Sequence, residues 1–484
     1  MQVYAAKDFT VNYYSTYKVV TRVPSNDTYV LYQCGTAAPT PGVSAGVPLV
    51  ATTFSIPLQT IAVPDTTVLG FLSLLGLFGR VTEVSTYAVD PCMQLLSGPS
   101  CGEDYEYGTH VGANASVNAI FGDVTPAYNK TVVFRATSDP DALGRAEWVK
   151  FVSVFFNLEL KANTIFQTIS NGYTAVKQFS ASYASSYVYR PYVAWLLYDS
   201  YNARVQMNWT PYKAQFTVVI APTSRPPLLW APPPSPFTSC RTRCGKMLNQ
   251  SAVFAMVSGY AGVTQDAAHI YFANMADFTA LHIALRGADF VVDETAYAGV
   301  PNPQVTISNF KTQYGFTAND NTSTYNFMAP ARILRLDGTD NSNGGLGWFE
   351  EAVSRPDIVL ADLSFALLGT SAGLTSYKPV FVKALSSFNR VVILSASACP
   401  ALTCSLPITP ICPPIFRGCG NVSTLYTASF SCDTTCPSPP PPAPSPPSPP
   451  PSPPKSAAST ASLHPALAAA LLALALVASL APTL

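Results

Sequence analysis

Charge is scarce in this chain. Of 484 residues only 27 are Lys or Arg and 27 are Asp or Glu, a charged fraction of 11% with formal net charge zero, against about 25% in ordinary soluble domains. Without a net field the chain has nothing to gather polyanions, so nucleic acid is excluded as a partner and acidic lipid as a docking surface. Histidine is scarcer still: His110, His269, His282 and His464 are the full set, and none stands in an HExxH or paired spacing, which argues against a His-rich metal site. There is no GxSxG to form a nucleophile elbow and no P-loop after a strand. The Gly-rich LDGTDNSNGGLGW (336–348) offers Asp337, Asp340 and Asn343 but no closing Glu at the spacing of a Ca²⁺ loop, and reads as a flexible loop. No constellation for enzymatic chemistry remains, and no catalytic cofactor is expected.

Apolar residues, at 48% of the chain, suffice for one large core or two moderate ones, and the length suggests at least two domains. With so little charge, something else must keep the surface wet. Seven Asn-x-Ser/Thr sequons, at Asn26, Asn114, Asn129, Asn208, Asn249, Asn321 and Asn421, point to glycans. Cysteine usage agrees. Six of the eleven cysteines, Cys399, Cys404, Cys412, Cys419, Cys432 and Cys436, crowd into a Pro-, Thr- and Ser-rich stretch, the pattern of a small disulfide framework in an oxidising compartment. Local bridges are expected for Cys92 with Cys101 and for Cys240 with Cys244, leaving Cys34 without a nameable partner. Zinc is the rival reading, but the spacings are irregular and no His lies nearby.

The C-terminus is the clearest segment. PSPPPPAPSPPSPPPSPP (437–454) must be an extended polyproline II rod, because proline fixes φ and removes the donors that helix or sheet would need. Small residues follow, and the chain stops in the apolar HPALAAALLALALVASLAPTL with no basic residue after it. A removable lipid-anchor signal ends in that way, whereas a true span is usually followed by a basic flank. A glycosylphosphatidylinositol anchor is therefore favoured over a membrane span, and either places the globular part outside the cell. The rod resembles the hydroxyproline-rich glycoproteins of plant and green-algal walls. The N-terminal MQVYAAKDFTVNYYSTYKVV has no apolar stretch fit for a secretory signal, so a shortened or processed start is expected.

In between, strands alternate with helices. QTIAV (59–63) reads as a buried strand, PDTT as a turn with an Asp or Thr cap, VLGFLSLLGLFG as a helix closed by Gly79, and RVTEVST as the returning strand, together one βαβ unit. A second series follows: YRPYVAWLLYD as a strand, HIYFANMADFTALHIALRG as strand then helix, ADFVVDET as a strand, and LGWFEEAVSRPDIVLADL as helix, turn and strand. From 146 to about 179 one long amphipathic helix is predicted, with Trp148, Val149, Val152, Phe155, Phe156, Ala162, Ile165 and Phe166 on its apolar stripe. Such a helix can serve as the shared backbone of two lobes or as an ordinary crossover of one; periodicity allows both.

The order FSIPLQTIAV, PDTT, FLSLLGLFGRV, EWVKFVSVFFNLELKANTIF, ADFVVDET, SRPDIVLADL resembles the helical-backbone class of periplasmic substrate-binding proteins, which capture cobalamin, haem and ferric siderophores. The wording is similar most of all to their algal relatives, the cobalamin acquisition proteins. The resemblance covers roughly residues 10–395 and is interrupted at 221–247 and after 399. It implies an α/β fold with two Rossmann-like lobes joined by a long backbone helix: an N-terminal lobe (1–142), the helix (143–180), a C-terminal lobe (181–398, insertion 221–247), a Cys-rich appendage (399–436), a Pro-rich stalk (437–455) and the anchor signal or membrane segment (456–484). It also implies capture of cobalamin in the interlobe cleft with little hinge motion, and delivery to a membrane transporter or endocytic receptor.

A corrin has broad apolar faces fringed with amides, so its site wants aromatic walls and a few hydrogen-bonding groups. Tyr87, Trp209, Tyr212, Trp348 and Phe349 supply the walls, and Asp65, Thr66 and Thr67 the turn-borne polar groups at a helix N-terminus. Each has a plainer role open to it: Trp348 and Phe349 as the apolar face of a helix, Asp65 and Thr66 as caps, Asp293 and Glu294 as caps or ion-pair partners. A ferric siderophore or haem would instead want cations in the cleft, for which Arg80, Lys213 and Arg335 are available. A wall glycoprotein whose lobes bind nothing is the third reading.

Overall fold

The structure, a computed structural model, describes residues 1–102, 117–122, 130–186, 191–218, 246–368, 377–387, 390–401, 403–406, 415–419 and 422–426. The sequons at Asn114, Asn129 and Asn421, Cys240, Cys244, Cys412, Cys432 and Cys436, the core of the 221–247 insertion, the stalk and the apolar tail lie outside them.

Val-, Thr- and Tyr-rich segments build the first strands, as their fit to a pleated, half-buried surface requires. Strands β1 (Phe9–Tyr13), β2 (Tyr17–Arg22) and β3 (Thr28–Gln33) form an antiparallel meander, and β4 (Thr52–Ile56) joins parallel to β3. A second, all-parallel sheet runs in the order β6-β5-β7-β8, with β5 (Ile61–Val63), β6 (Val81–Val84), β7 (Ala119–Phe121) and β8 (Thr131–Val132). Helix α1 (Thr67–Leu75) connects β5 to β6, the expected βαβ unit. It closes at Gly76 rather than Gly79: Gly76 takes the left-handed conformation (φ 67) and returns its N–H to Leu72 and Ser73, as a C-terminal glycine does once it can reach the last carbonyls. Gly79 falls inside a short 3₁₀ turn, Phe78–Arg80. Helix α2 (Pro91–Ser97) begins on an Asp90 cap that accepts from the N–H groups of Cys92 and Met93.

The long central stretch is two helices, α3 (Ala142–Ser153) and α4 (Glu159–Ser186), not one. Asn157 sits at φ 57 in the break, and buried side chains from the meander hold it there. Lys18 Nζ donates to the Val154 carbonyl and to Asn157 Oδ1, and pairs with Glu159 at 2.5 Å. Gln33 exchanges amide hydrogen bonds with Asn157. The Val154 carbonyl, which would have continued the helix, is thus satisfied by Lys18, and the Phe155 carbonyl by the Leu58 N–H. The apolar stripe still divides as a backbone helix demands. Trp148, Phe151 and Phe155 pack with Phe9 and Phe134 in the first core, where Ala162, Ile165 and Phe166 also lie. Further along α4, Tyr173, Val176 and Phe179 enter a second core.

That second core lies on a mixed sheet of order β12-β13-β10-β9-β14-β15-β17. Its members are β9 (Tyr192–Asp199), β10 (Arg204–Asn208), β11 (Lys246–Met247, paired to β9), β12 (Val263–Gln265), β13 (His269–Phe272), β14 (Phe290–Asp293), β15 (Ile333–Arg335) and β17 (Lys383–Ala384). Strands β9, β14 and β15 run parallel through its centre, and the short β11 also pairs parallel with β9. A separate parallel pair joins β16 (Thr339–Asn341) to β18 (Val392–Leu394). Helices α5 (Pro211–Val218), α6 (Gln250–Val257), α7 (Thr279–Leu285), α8 (Ile307–Gln313), α9 (Gly347–Glu350) and α10 (Pro356–Leu368) complete this half.

RPDIVLADL is helical, in α10, where a strand was expected. A short apolar run does not distinguish a buried strand from a buried helix. Here the run extends over 13 residues, is buried almost all round, and packs against α4. Its Asp362 accepts hydrogen bonds from the Tyr377 hydroxyl and from the N–H groups of Val380, Phe381 and Val382, fastening the chain that returns to the sheet. The supposed flexible loop at 336–348 is likewise ordered: Leu336 to Asn341 are buried, and Asn341 Oδ1 folds the glycines back by accepting from the N–H groups of Asn343 and Gly345.

The cysteines pair across the molecule. Cys92 bonds to Cys399 and Cys101 to Cys404, so the local Cys92–Cys101 bridge is not formed, and two cysteines of the C-terminal cluster reach out of it. Cys34 is free and exposed. Among the described residues no helix is long and apolar enough to cross a membrane.

Candidate functional site

The C-terminal ends of β5 and β6 and the turn of α9 from the other half meet along one seam. After β5, Asp65 Oδ1 accepts from the Thr67 N–H, while Val68 and Leu69 return their N–H groups to the carbonyls of Asp65 and Thr66. The first turn of α1 is therefore satisfied within itself, by an Asx turn at Asp65; Thr66 holds the capping position without a side-chain bond. Gly122, following β7, is tucked against Pro64 and Asp65, where an added Cβ would stand 3.1 Å from both side chains.

After β6 the segment Thr86–Asp90 lies directly on the second half. Asn341 Nδ2 donates to the Ala88 carbonyl at 2.7 Å, and Asn343 Nδ2 to that of Thr86 at 3.0 Å. Glu350 accepts from the N–H of Val89 at 2.6 Å and of Asp90 at 3.0 Å. Two glycines make the approach possible: a Cβ at Gly345 would overlap the Tyr87 carbonyl oxygen, and one at Gly70 in α1 would stand 2.5 Å from the Glu350 carbonyl oxygen.

Carboxylates crowd here. Burial pushes the Glu350 carboxyl far above its ordinary value, and Glu351 beside it adds to the shift, against the two backbone N–H donors. Burial, then the charge of Asp90, holds Glu351 up at about 8, with Arg355 pulling the other way. Burial also raises Asp90, partly offset by the N–H groups of Met93 and Cys92. Glu351 Oε2 is enclosed and accepts no hydrogen bond.

The aromatic residues singled out from sequence divide into two sets. Tyr87 and Phe349 stand on opposite sides of this seam and are 59% and 56% exposed, although their neighbours are buried. Trp348 is buried in the second core beside Trp195. Tyr212 is buried in the first turn of α5 under the Arg145 guanidinium, 3.5 Å from the ring centre. Trp209, half-buried just past β10, donates its indole N–H to the Leu248 carbonyl and packs with the third core, the one built on β10 and β13.

The cations are committed as well. Arg335 is buried between Asp293 and Asp337, at 2.8 and 2.9 Å; Lys213 pairs with Glu294; Arg80 donates to Gln59 Oε1 at 2.5 Å. His269 faces Asp266, and His282 stacks on Phe316. Among the described residues no group of three or more His, Cys, Asp or Glu is placed to hold a metal ion. Of the described sequons, Asn26, Asn249 and Asn321 are exposed, whereas Asn208 is buried at the end of β10 with its Oδ1 accepting from the Thr210 N–H.

The seam residues Asn341, Gly345 and Glu350 were not singled out from sequence. The run GGLGWFEE carries the signal, since adjacent glycines before paired glutamates mark a close backbone approach next to buried acids.

No protein-family model and no curated protein matches the chain. Solved structures resemble parts of it. The FhuD protein from S. pseudintermedius is 11% identical with a TM-score of 0.37, over 64% of this chain and 91% of that one. A periplasmic heme binding protein from Pseudomonas aeruginosa is 14% identical with a TM-score of 0.39, over 68% and 99%. The petrobactin-binding protein YclQ from Bacillus subtilis is 10% identical with a TM-score of 0.38, over 75% and 99%. At these TM-scores the likeness is partial, and the α/β architecture stands on the sheet order and cores of the chain itself.

Proposed function

We propose that this chain is an extracellular solute-binding protein that takes a broad, apolar-faced ligand, cobalamin, at the seam between its two halves. The observation that carries the reading is the pair Tyr87 and Phe349: two exposed aromatics, one from each half, beside a seam in which Ala88, Val89, Asn341, Gly345 and Glu350 are buried. Aromatic faces left open beside a few fixed polar groups are what a corrin's flat face and amide fringe require. The chemistry of the charged groups favours a neutral ligand over an anionic one. Arg80, Lys213 and Arg335 are engaged with Gln59, Glu294 and the Asp293–Asp337 pair, and Asp65 supplies its own negative charge at the α1 N-terminus. At Lys213 or Arg335 a ferric siderophore or haem carboxylate would have to displace Glu294 or one of the Asp293–Asp337 pair and leave a buried carboxylate unpaired, whereas at Arg80 it would displace only the neutral Gln59 amide. The iron-chelate reading therefore ranks second.

The setting is outside the cell. Two disulfides within the described residues fit an oxidising compartment, and the exposed sequons Asn26, Asn249 and Asn321 fit a glycosylated surface. In this proposal the Pro-rich rod and apolar tail tether the protein to the membrane by a lipid anchor, and the bound vitamin passes to a membrane transporter or endocytic receptor. Calorimetric titration of the purified chain with cyanocobalamin, a ferric hydroxamate and haem tests the reading. Saturable one-to-one binding of the corrinoid is expected. Heat from the iron ligands alone would reassign the ligand, and silence with all three would leave a wall glycoprotein whose seam is simply packed shut.

A further inference from the structure

The two disulfides do more than attach a C-terminal appendage. Helix α2 belongs to the first half, with Met93 and Leu96 in its core. Cys399 and Cys404 follow β18, which pairs with β16 of the second half. Each bridge therefore ties the chain that follows β18 of the second half to the first half, with sequence separations of 307 and 303.

The first bridge closes a ring of contacts around the seam. From Cys92 the ring passes through the disulfide to Cys399, back along the chain to β18, across the sheet pairing to β16, and from Asn341 of β16 by a hydrogen bond to Ala88, four residues from Cys92. Gln94 Nε2 braces it by donating to both the Val89 and Leu394 carbonyls. Inside the ring lie Val89 and Asp90, the two donors to Glu350. Parting the halves here would have to move Cys92 away from Cys399. Cys101–Cys404 ties the same two segments a second time, since Cys101 follows Cys92 and Cys404 follows Cys399 in the chain.

We propose that Cys92–Cys399 and Cys101–Cys404 form an interlobe staple that fixes the Val89–Asp90 segment against Glu350, and that cutting both bridges frees Val89 and Asp90 from Glu350. The inference is independent of what ligand the protein binds. Reduction of each bridge breaks the Sγ–Sγ bond and delivers two electrons and two protons to give two thiols. With a trialkylphosphine as reductant, phosphorus is oxidised to its oxide and water supplies the oxygen.

Hydrogen exchange read by mass spectrometry on the purified chain, with and without the phosphine, is the test, with reduction verified by counting alkylated thiols. Exchange at Val89 and Asp90 is expected to quicken by at least about tenfold on reduction while α3 and β9 stay protected. Unchanged exchange at Val89 and Asp90 after verified reduction would overturn the staple. So would a uniform rise reaching α3 and β9, since the bridges would then support global stability only. The double variant Cys101→Ser/Cys404→Ser separates these effects, because it keeps the ring-closing bridge: Val89 and Asp90 should remain protected in it, and their release there would contradict the ring.

Discussion

Glu351 gives the sharpest test of the seam's electrostatics. Its Oε2 is enclosed and unbonded; Asp90 from the start of α2 and Glu350 from α9 face it with like charge, and Arg355, the nearby cation, is already held by Asp357 at 2.9 and 3.0 Å. The carboxyl is held up at about 8 against an ordinary 4.5, burial first and Asp90 second. An acid whose folded value is raised contributes full stability below its unfolded value and loses it as pH rises through the folded one. The window thus runs from about pH 4.5 to about pH 8, and at about 1.4 kcal/mol per pH unit the accumulated penalty is on the order of 5 kcal/mol, part of it shared with Glu350. Glu351→Gln removes the ionisation while keeping the shape. Calorimetric melting of variant and parent should coincide near about pH 4 and separate by several degrees near about pH 8.5, with the variant the more stable. A variant that melts below the parent at both pH values would refute the reasoning, because Glu351 would then be stabilising as a carboxylate.

Gly345→Ala should wedge the seam, since its Cβ overlaps the Tyr87 carbonyl; a loss of about 1–3 kcal/mol in urea unfolding is expected, with faster exchange at Val89 and Asp90. Lys18→Met leaves Glu159 buried without its cation and frees the Val154 carbonyl, so a loss of about 3–5 kcal/mol is expected, and Lys18→Met/Glu159→Leu should recover most of it; equal losses in single and double variants would contradict the ion pair's role in the α3–α4 break. Peptide mass mapping before and after enzymatic deglycosylation should find glycans at Asn26, Asn249 and Asn321 but not at Asn208, whose amide is buried.

Local signals carried much of the fold. The βαβ unit from β5 to β6, the strands β9, β13 and β14, and helix α7 all follow from period and turn chemistry. What failed was decided by tertiary partners. Nothing local marks the α3–α4 break, because Lys18 and Gln33, which hold Asn157, are more than a hundred residues away. The apolar run of α10 reads as a strand until α4 and the returning 377–383 segment are placed around it. Disulfide partners more than three hundred residues apart have no sequence signature at all. The candidate site was legible by residue type but not by burial: Tyr87 and Phe349 are open, while Tyr212 and Trp348, equally aromatic and equally near predicted turns, are core.

The most direct measurement of the central claim is the affinity of the purified chain for cyanocobalamin with Tyr87 and Phe349 intact and with both changed to alanine. Both side chains are more than half exposed, so the double variant should keep the parent's melting temperature. Its affinity should fall by about fivefold to about a hundredfold, as the loss of two stacking faces at about 0.5–1.5 kcal/mol each implies. An unchanged affinity, or no binding by the parent chain, would contradict the assignment of the seam as the corrinoid site.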